Sequence, residues 1–282
     1  MTSDDYDRAA RFAASLQANS TTQYGMVGTD PIDIRKELVE YQVRLLTDED
    51  GTELTALVGI DWDLDLKRAY LFGPWVASTD EWDARADDLW GRAWKLVPEG
   101  IDDVDMAVNE RNERGAAFAT RHGFERYTVG ALMRYDDDGT ERSPIGQIRD
   151  ASPKEFPAIV ELHDRLFPGT WLPGKQLVTR LSEQRRLFVI EDGGDVIAYA
   201  YVEAVPEAAQ GSIDFLGVHE NARGRGLGAL MVEGMKQWLL AFEQITFLEL
   251  FVRDDNPAAR RIYEKAGYRE IEHIVGLRKQ LT

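Results

Sequence analysis

A glycine-rich segment in the second half of the chain follows a predicted strand and precedes a predicted helix. Residues 219–229 read HENARGRGLGA, with glycines at 224, 226 and 228. Glycines let main-chain N–H groups approach a ligand closely, and the first turn of a helix adds a partial positive charge. The pattern therefore favours a site for a pyrophosphate group, with a tight turn alone as the alternative.

Two motifs in this half resemble those of the GNAT acyltransferase superfamily. The first family motif is Arg or Gln, two residues, Gly, one residue and then Gly or Ala, and it is matched by Arg223, Gly226 and Gly228. The second is Asn, a helix carrying Ala and Tyr, and then Gly followed by Phe or Tyr. Its positions are matched by Asn256, Ala259, Tyr263, Gly267 and Tyr268. The resemblance covers essentially all of residues 145–282.

The resemblance implies transfer of an acyl group, usually acetyl, from coenzyme A to an amine by direct attack in a ternary complex. Acetyl-CoA would be the cosubstrate, and no metal is expected. The absence of cysteine agrees with this, because no thiol is available for a covalent acyl-enzyme. Tyr263 stands at the family's usual general-acid position, from which it would protonate the departing thiolate. The expected cofactor-binding residues are Leu216, Gly217, Val218, Arg223, Gly224, Arg225, Gly226, Leu227, Gly228, Ala229, Asn256 and Tyr263.

The motifs do not fix the general base. Asp214 lies on the predicted strand before the glycine-rich segment, and strict alternation places it on the same side as Val218. It is the catalytic candidate that would take a proton from the ammonium through water, with Glu203 and Glu249 as alternatives. Some family members place a glutamate twelve residues before the tyrosine, where this chain has Phe251.

The elements that must position these residues follow the order βααβββαβαββ from residue 145 onward. The predicted strands are 187–191, 196–205, 212–218 and 247–252. The predicted helices are one from Ser152 to Leu166, one of about 18 residues from Arg223, and one from Pro257 to Ala266. In the family, the loop between the first two helices commonly borders the acceptor pocket. Trp171 is therefore the expected substrate-binding residue, with a purely structural role as the alternative.

The first half of the chain repeats the second at an offset of 144 residues. Asn112, Gly123 and Phe124 fall on the Asn, Gly and Tyr positions of the second motif. Upstream, three successive strands are predicted at 40–46, 54–66 and 69–76, followed by a helix at 82–97. Residues 1–36 show only one clear helix, which predicts that the beginning of this copy is shortened or altered.

The first half has lost the residues that would bind the cofactor. The positions of the first motif hold Thr79, Trp82 and Ala84, and the position of the tyrosine holds Ala119. Asp80, Glu81 and Asp83 would repel a pyrophosphate at this place. We therefore expect an α/β (α+β) protein of two GNAT-like domains, each a mixed, mostly antiparallel sheet flanked by helices. Residues 1–140 would form a degenerate domain that does not bind CoA, and residues 145–282 the catalytic domain, with the polar stretch 136–144 between them.

The charge of the chain limits its partners. The 282 residues carry a net charge of −17, of which −14 lies in residues 1–144 and −3 in residues 145–282. An acidic surface repels nucleic acid and anionic membranes at long range, so we expect neither as a partner. It favours a cationic acceptor such as a polyamine, an aminoglycoside or a peptide amine. The start of the chain lacks a basic or hydrophobic leader, which predicts a cytoplasmic protein, either a monomer or a homodimer.

Two other interpretations stay open. The unassigned base and the degenerate first half are compatible with a non-catalytic acyl-CoA-binding regulatory or interaction protein. The two-domain plan is also similar to that of mycothiol synthase, which leaves the amine of a thiol-sugar as an alternative acceptor class.

Overall fold

The computed structural model describes residues 2–140 and 146–281, and it divides into two compact units. Unit 1 consists of Met1–Gly130 and Glu272–Thr282, and unit 2 consists of Ala131–Ile271. The sequence predicts domains of 1–140 and 145–282, so the units differ from this prediction at their ends. Residues 141–145, which include the end of the predicted linker and the start of the predicted first strand, lie outside the described residues.

Unit 1 contains two helices before its first strand. Along the chain, its elements are α1 (Ser3–Gln17), α2 (Pro31–Glu40), β1 (Arg44–Asp50), β2 (Glu53–Asp63), β3 (Arg68–Val76), α3 (Trp82–Trp94), β4 (Asp103–Asn109), α4 (Glu113–Arg121), the start of β5 (Glu125–Asp136) and the end of β11 (Arg269–Gln280). The prediction of a single helix in residues 1–36 is wrong, because α2 begins there. Asp30 caps α2 by accepting a hydrogen bond from the main-chain N–H of Ile32, and Pro31 fits the first turn.

The sheet of unit 1 has the strand order β1-β2-β3-β4-β11. Its neighbours are antiparallel except β3 and β4, which are parallel and are joined through the crossover helix α3. Helices α1 and α3 contribute Ala9, Ala13, Leu89 and Trp90 to the core of the unit. This arrangement confirms the predicted mixed, mostly antiparallel sheet.

Unit 2 holds the glycine-rich segment. Its elements are the end of β5, then β6 (Arg149–Asp150), α5 (Phe156–Leu166), α6 (Gly174–Thr179), β7 (Arg185–Asp192), β8 (Asp195–Val205), β9 (Gln210–Val218), α7 (Leu227–Leu239), β10 (Phe247–Arg253), α8 (Pro257–Lys265) and the start of β11. The strand order is β5-β10-β9-β8-β7-β6, with β9 and β10 parallel. The predicted strands and helices of this half are thus confirmed in type and order, although the two closing segments form one strand.

Two predicted helix starts are wrong, each for a local reason. Helix α5 begins at Phe156 rather than Ser152, because the Glu155 carboxylate accepts hydrogen bonds from the N–H and the hydroxyl of Ser152 and closes a turn there. Helix α7 begins at Leu227 rather than Arg223, since Gly224 and Gly226 both have φ of 78° in the left-handed region.

The sheet of unit 2 separates two apolar layers. Helix α7 packs on one face, where Met231, Met235 and Leu239 meet Leu248 and Leu250 of β10; we call this side the α7 face. Helices α5 and α6 cover the opposite side, where Ile159, Leu162 and Leu177 meet Tyr199, Tyr201 and Phe215; we call it the α5 face. Within the part of the chain that the structure describes, no helix is long and apolar enough to cross a membrane.

The last strand of each repeat does not complete the sheet of its own repeat. Residues 274–280 of β11 pair antiparallel with β4 in unit 1. In unit 2, the end of β5 lies beside β10 and contributes Ala131, Met133 and Tyr135 to the core on the α7 face. The catalytic half predicted from the sequence therefore depends on a strand that precedes it in the chain.

We predict that residues 145–282 produced alone will not fold stably. Such a chain lacks the strand that carries Met133 and Tyr135, and the burial of Met133 alone contributes about 1.5–3 kcal/mol. Thermal unfolding followed by circular dichroism should show a cooperative transition for residues 131–282 and a weaker one, or none, for residues 145–282. Equal melting temperatures for the two chains would contradict the assignment of this strand to unit 2.

Candidate active site

The parallel strands β9 and β10 pair over a short stretch and then separate. Their register joins Gln210 to Phe247, Gly211 to Leu248 and Ser212 to Glu249, while β9 continues to Val218 and β10 to Arg253. Beyond these three pairs, the edge of β9 that faces β10 forms no ladder in the described strands. Main-chain donors and acceptors on such an edge can pair with the amides of an extended ligand.

A β-bulge at Asp214 marks the point where the two strands separate. Tyr201 of β8 pairs with Phe215 and Val202 pairs with Ile213, which leaves Asp214 as the extra residue. Its carboxylate accepts a hydrogen bond of 2.7 Å from the hydroxyl of Ser212. Simple alternation already places Asp214 on the side of Ser212, and the bulge resets the alternation after Asp214, so that Leu216 and Val218 lie on the opposite side.

The predicted side of Asp214 is therefore wrong. Leu216 and Val218 pack on the α7 face, whereas Phe215 belongs to the α5 face. Ser212 pairs with Glu203, and the charge of Asp214 acts on the hydroxyl of Tyr201, so Asp214 lies among the polar groups of the α5 face. Strict alternation could not show this, because the extra residue resets the period.

The two alternative bases lie in ion pairs. Glu203 accepts a hydrogen bond of 2.6 Å from Nε of Arg185. Glu249 accepts hydrogen bonds of 2.9 and 2.6 Å from Nε and Nη2 of Arg134. Burial raises the pKa of the Glu249 carboxyl, and Arg134 opposes the increase. Both glutamates are therefore held by guanidinium groups. Asp214 differs in its position at the bulge.

The glycine-rich loop between β9 and α7 is eight residues long and exposes its backbone. Gly224 and Gly226 have open space where a side chain would begin, and Arg223 and Arg225 are exposed. Helix α7 has no side-chain cap, so the N–H groups of its first turn are not satisfied by a capping residue. Together with the helix dipole, these amides can hold a pyrophosphate.

Tyr263 lies on the same apolar core as the end of β9. Its ring packs against the α7-face cluster, as do Leu216, Val218 and Leu227, so the structure brings these four predicted site residues together. Asn256 caps α8 by accepting a hydrogen bond of 3.1 Å from the N–H of Ala259. Burial raises the pKa of the Tyr263 phenol to about 12, so the hydroxyl stays protonated at physiological pH.

Trp171 lies in a loop that two residues anchor to the rest of unit 2. The Nε2–H of His163 donates to the carbonyl of Leu172 at 2.8 Å, and the N–H of Gly174 donates to the Asp164 carboxylate at 2.7 Å. The hydroxyl of Tyr199 then donates to Nδ1 of His163 at 2.7 Å. His163 is not predicted as a site residue from the sequence, where its only signal is a histidine placed among the apolar positions of α5.

In unit 1, strands β3 and β4 separate as β9 and β10 do in unit 2, and a short segment of the chain lies between them. Strands β3 and β4 also pair over three residues, from Arg68 with Asp103 to Tyr70 with Asp105. Farther along β4, the N–H of Gly25 donates to the carbonyl of Ala107 at 2.9 Å, and the N–H of Asn109 donates to the carbonyl of Gln23 at 3.1 Å. Residues 23–25 therefore satisfy the backbone of β4 where it leaves β3.

Gln17 holds this segment in place. Its side-chain oxygen accepts hydrogen bonds from the N–H of Tyr24 at 2.6 Å and from Nε1 of Trp75 at 3.1 Å. Its side-chain amide donates to the carbonyl of Tyr24 at 2.8 Å. The ring of Tyr24 packs edge-on against Trp75 of β3, with 5.8 Å between centroids. Tyr24 thereby fills the space between the two strands.

Comparison with known proteins identifies the class to which this site belongs. Residues 156–268 match the acetyltransferase (GNAT) family. This segment of the chain, within unit 2, is therefore a GNAT acetyltransferase domain. A GCN5-related N-acetyltransferase from Sphaerobacter thermophilus has a similar fold, with a TM-score of 0.74 and 19% identity over 99% of this chain and 94% of that one.

Two further relatives are similar to this chain, one in its whole two-domain structure and one in part of its sequence. A tandem GNAT protein from the clavulanic acid biosynthesis pathway covers 99% of this chain and 97% of its own, with a TM-score of 0.67 and 15% identity. A mycothiol acetyltransferase from Beutenbergia cavernae is 37% identical over 84 residues, which are 29% of this chain. The match spans only 28% of that relative's length. The similar structures confirm the predicted two-domain fold.

We predict that Gly226→Ala weakens acetyl-CoA binding. A side chain at φ of 78° strains the loop and places a methyl group where a phosphate would approach the amides. The KM for acetyl-CoA should increase roughly tenfold or more, as expected for losing one hydrogen bond to a charged group.

The matched control is Gly193→Ala in the turn between β7 and β8. Gly193 also has a positive φ, 63°, and open space around it. Its replacement should lower the melting temperature by a similar amount and leave the KM for acetyl-CoA unchanged. Equal KM values for the two variants would show that the loop does not hold the pyrophosphate.

Proposed function

We propose that the protein is an acetyl-CoA-dependent N-acetyltransferase that acts on a primary amine through unit 2. The observation that supports this most is the combination of separated parallel strands with the glycine-rich loop directly after β9. The strand edge provides amide partners for the extended pantetheine arm, and the loop provides the amides for its pyrophosphate. Both features are on one continuous segment, from Ser212 to Ala229.

The reaction is direct attack of the amine on the thioester. The amine nitrogen forms a bond to the carbonyl carbon, the carbon–sulfur bond then breaks, and the products are the N-acetyl amide and coenzyme A. A main-chain N–H near Val218 would stabilise the negative charge on the carbonyl oxygen. Asp214 would accept the proton of the acceptor ammonium, directly or through water, because it lies at the bulge where the strands separate.

Tyr263 would act on the leaving sulfur. A phenol with a pKa raised to about 12 is a weaker acid than a thiol, whose ordinary pKa is about 8.5. The tyrosine therefore stabilises the thiolate by donating a hydrogen bond, and complete transfer of its proton is unfavourable. This role is weaker than the full protonation that the family position implies, but it still lowers the energy of the transition state.

We predict that Tyr263→Phe lowers kcat on the order of 10²-fold and changes the KM for acetyl-CoA little. The phenylalanine keeps the packing against the α7-face core and removes only the hydroxyl. Because burial keeps the phenol protonated, kcat of the unmodified protein should not fall as the pH is raised through 10. Steady-state kinetics over pH 6–11 measure both effects. An unchanged kcat in Tyr263→Phe would show that the tyrosine hydroxyl takes no part in the reaction.

We also predict that the chain binds one acetyl-CoA molecule. In unit 1, residues 23–25 fill the separation between β3 and β4, and the loop before α3 is five residues long without glycine. Isothermal titration calorimetry should give a stoichiometry of one per chain, and Gly226→Ala should weaken that single site. A stoichiometry of two would contradict the loss of binding in unit 1.

Two alternatives make different predictions. A non-catalytic acyl-CoA-binding protein would bind acetyl-CoA but acetylate no amine in a broad panel. The similarity of 84 residues to a protein named as a mycothiol acetyltransferase supports a thiol-sugar amine as a second acceptor class. A turnover screen of the full chain over amine classes, with release of the coenzyme A thiol as the signal, separates these outcomes.

A further inference from the structure

A buried lysine of α7 is not used by the proposed reaction steps. Lys236 is 5% exposed, although a lysine is rarely buried without a partner for its charge. Its ammonium donates a hydrogen bond of 2.7 Å to the main-chain carbonyl of Ala266. It also lies 3.9 Å from the ring centroid of Tyr135 and 3.5 Å from the carboxylate of Glu233, whose side chain is 46% exposed. The shortest contact of the ammonium is therefore with the main chain at the end of α8.

Ala266 is the residue at which α8 ends. Carbonyl groups in the last turn of a helix have no partner within the helix, and the negative end of the helix dipole attracts a cation. Lys236 therefore stabilises the end of α8 with both a hydrogen bond and a charge. Because Lys236 belongs to α7, this contact ties the position of α8 to that of α7.

Tyr263 belongs to the turn that Lys236 holds. The carbonyl of Tyr263 accepts a hydrogen bond of 3.0 Å from the N–H of Tyr268. Between them, Gly267 has φ of 89°, so the chain turns directly after Ala266 as in a Schellman motif. The carbonyl that Lys236 binds lies within this motif, and a shift of the motif moves the backbone of Tyr263.

A row of aromatic rings also joins the lysine to Tyr263. The ring of Tyr135, over which the ammonium lies, packs against that of Tyr268 with 5.7 Å between centroids. Tyr268 in turn packs edge-on against Tyr263, with 6.0 Å between centroids. Lys236 therefore acts on Tyr263 by two routes, through the main chain at the end of α8 and through these rings.

A second contact between α7 and α8 lies beside the glycine-rich loop. Cδ1 of Ile262 is 3.0 Å from the place where a Cβ at Gly228 would lie, so the two helices approach closely there. Ile262 directly precedes Tyr263, and Gly228 is in the first turn of α7, whose amides can hold a pyrophosphate. Helix α7 thus contacts α8 at Gly228 and again at Lys236, and the two contacts together set the position of Tyr263 relative to the phosphate loop.

We propose that Lys236 is a positioning residue that keeps the hydroxyl of Tyr263 in place for the leaving sulfur by binding the end of α8 to α7. The proposal rests on the proposed acetyltransferase function. Because the first turn of the same helix would hold the pyrophosphate, loss of the lysine contact leaves acetyl-CoA bound and moves the hydroxyl away from the sulfur. A displacement of about 1 Å can lower a rate by up to about 10²-fold.

The test is a double-mutant cycle between Lys236 and Tyr263. Lys236→Met keeps the apolar stem and removes the ammonium. Transfer from acetyl-CoA is measured with ethanolamine, glucosamine and spermidine, and the fastest acceptor is used for every variant. Lys236→Met should lower kcat about tenfold and leave the KM for acetyl-CoA unchanged. In the Tyr263→Phe background it should change kcat by less than about twofold, because the hydroxyl that it positions is already absent.

Three further variants control for stability. Lys236→Arg keeps a charged donor and should retain most of kcat. Ile245→Ala removes volume from the same apolar core after α7 ends, so it should lower the melting temperature without lowering kcat. Where Lys236→Met does not fold, Lys236→Gln takes its place in the cycle, because its donor nitrogen lies one bond closer to the backbone. All rates are measured at a temperature where circular dichroism shows each variant folded.

An unchanged kcat in Lys236→Met would overturn the proposal while the acetyltransferase function stands. The same fold-loss with and without the Tyr263 hydroxyl would also overturn it, because a purely structural effect acts equally in both backgrounds. Absence of transfer to all three amines together with absence of acetyl-CoA binding would instead reject the proposed function itself.

Discussion

The two parallel strands on either side of a crossover helix pair for only three residues before they separate. This constraint recurs in both units, between β3 and β4 and between β9 and β10. A backbone that leaves its ladder must find other hydrogen-bond partners, because buried unpaired N–H and C=O groups are costly. The two units differ in what lies at this backbone.

Unit 1 supplies the partner from its own chain. Residues 23–25 form main-chain hydrogen bonds with β4, and Gln17 joins Tyr24 to Trp75 of β3. In unit 2, the helical segment before β7 lies elsewhere: α5 and α6 pack on the α5 face, and their connecting loop carries Trp171. The connection between the first two helices therefore fills the gap between the separated strands in unit 1, whereas in unit 2 it lies beside that gap.

The residues that could be predicted from the sequence are those whose local conformation requires a particular type. Gly224 and Gly226 adopt positive φ, and Asn256 caps a helix, so the local role of each can be recognised from the sequence alone. The bulge at Asp214 could not be predicted, because it depends on the register with β8. The positions of β5 and β11 could not be predicted either, because they depend on which sheet each strand joins in the fold.

The start of the crossover helix shows how strand separation and charge are linked. A helix N-terminus is stabilised by negative charge, which an acidic side chain or a bound anion can supply. Helix α3 has Asp83 in its first turn, while α7 has no acidic residue there. Where residues 23–25 fill the separation, no phosphate needs to be held, and an aspartate beside the helix dipole is favourable. In the proposed function of unit 2, the separation receives a polyanionic cosubstrate, and an aspartate at the same place would compete with it. The difference in charge at this position agrees with that proposal, because the aspartate is present in the unit that satisfies its own backbone.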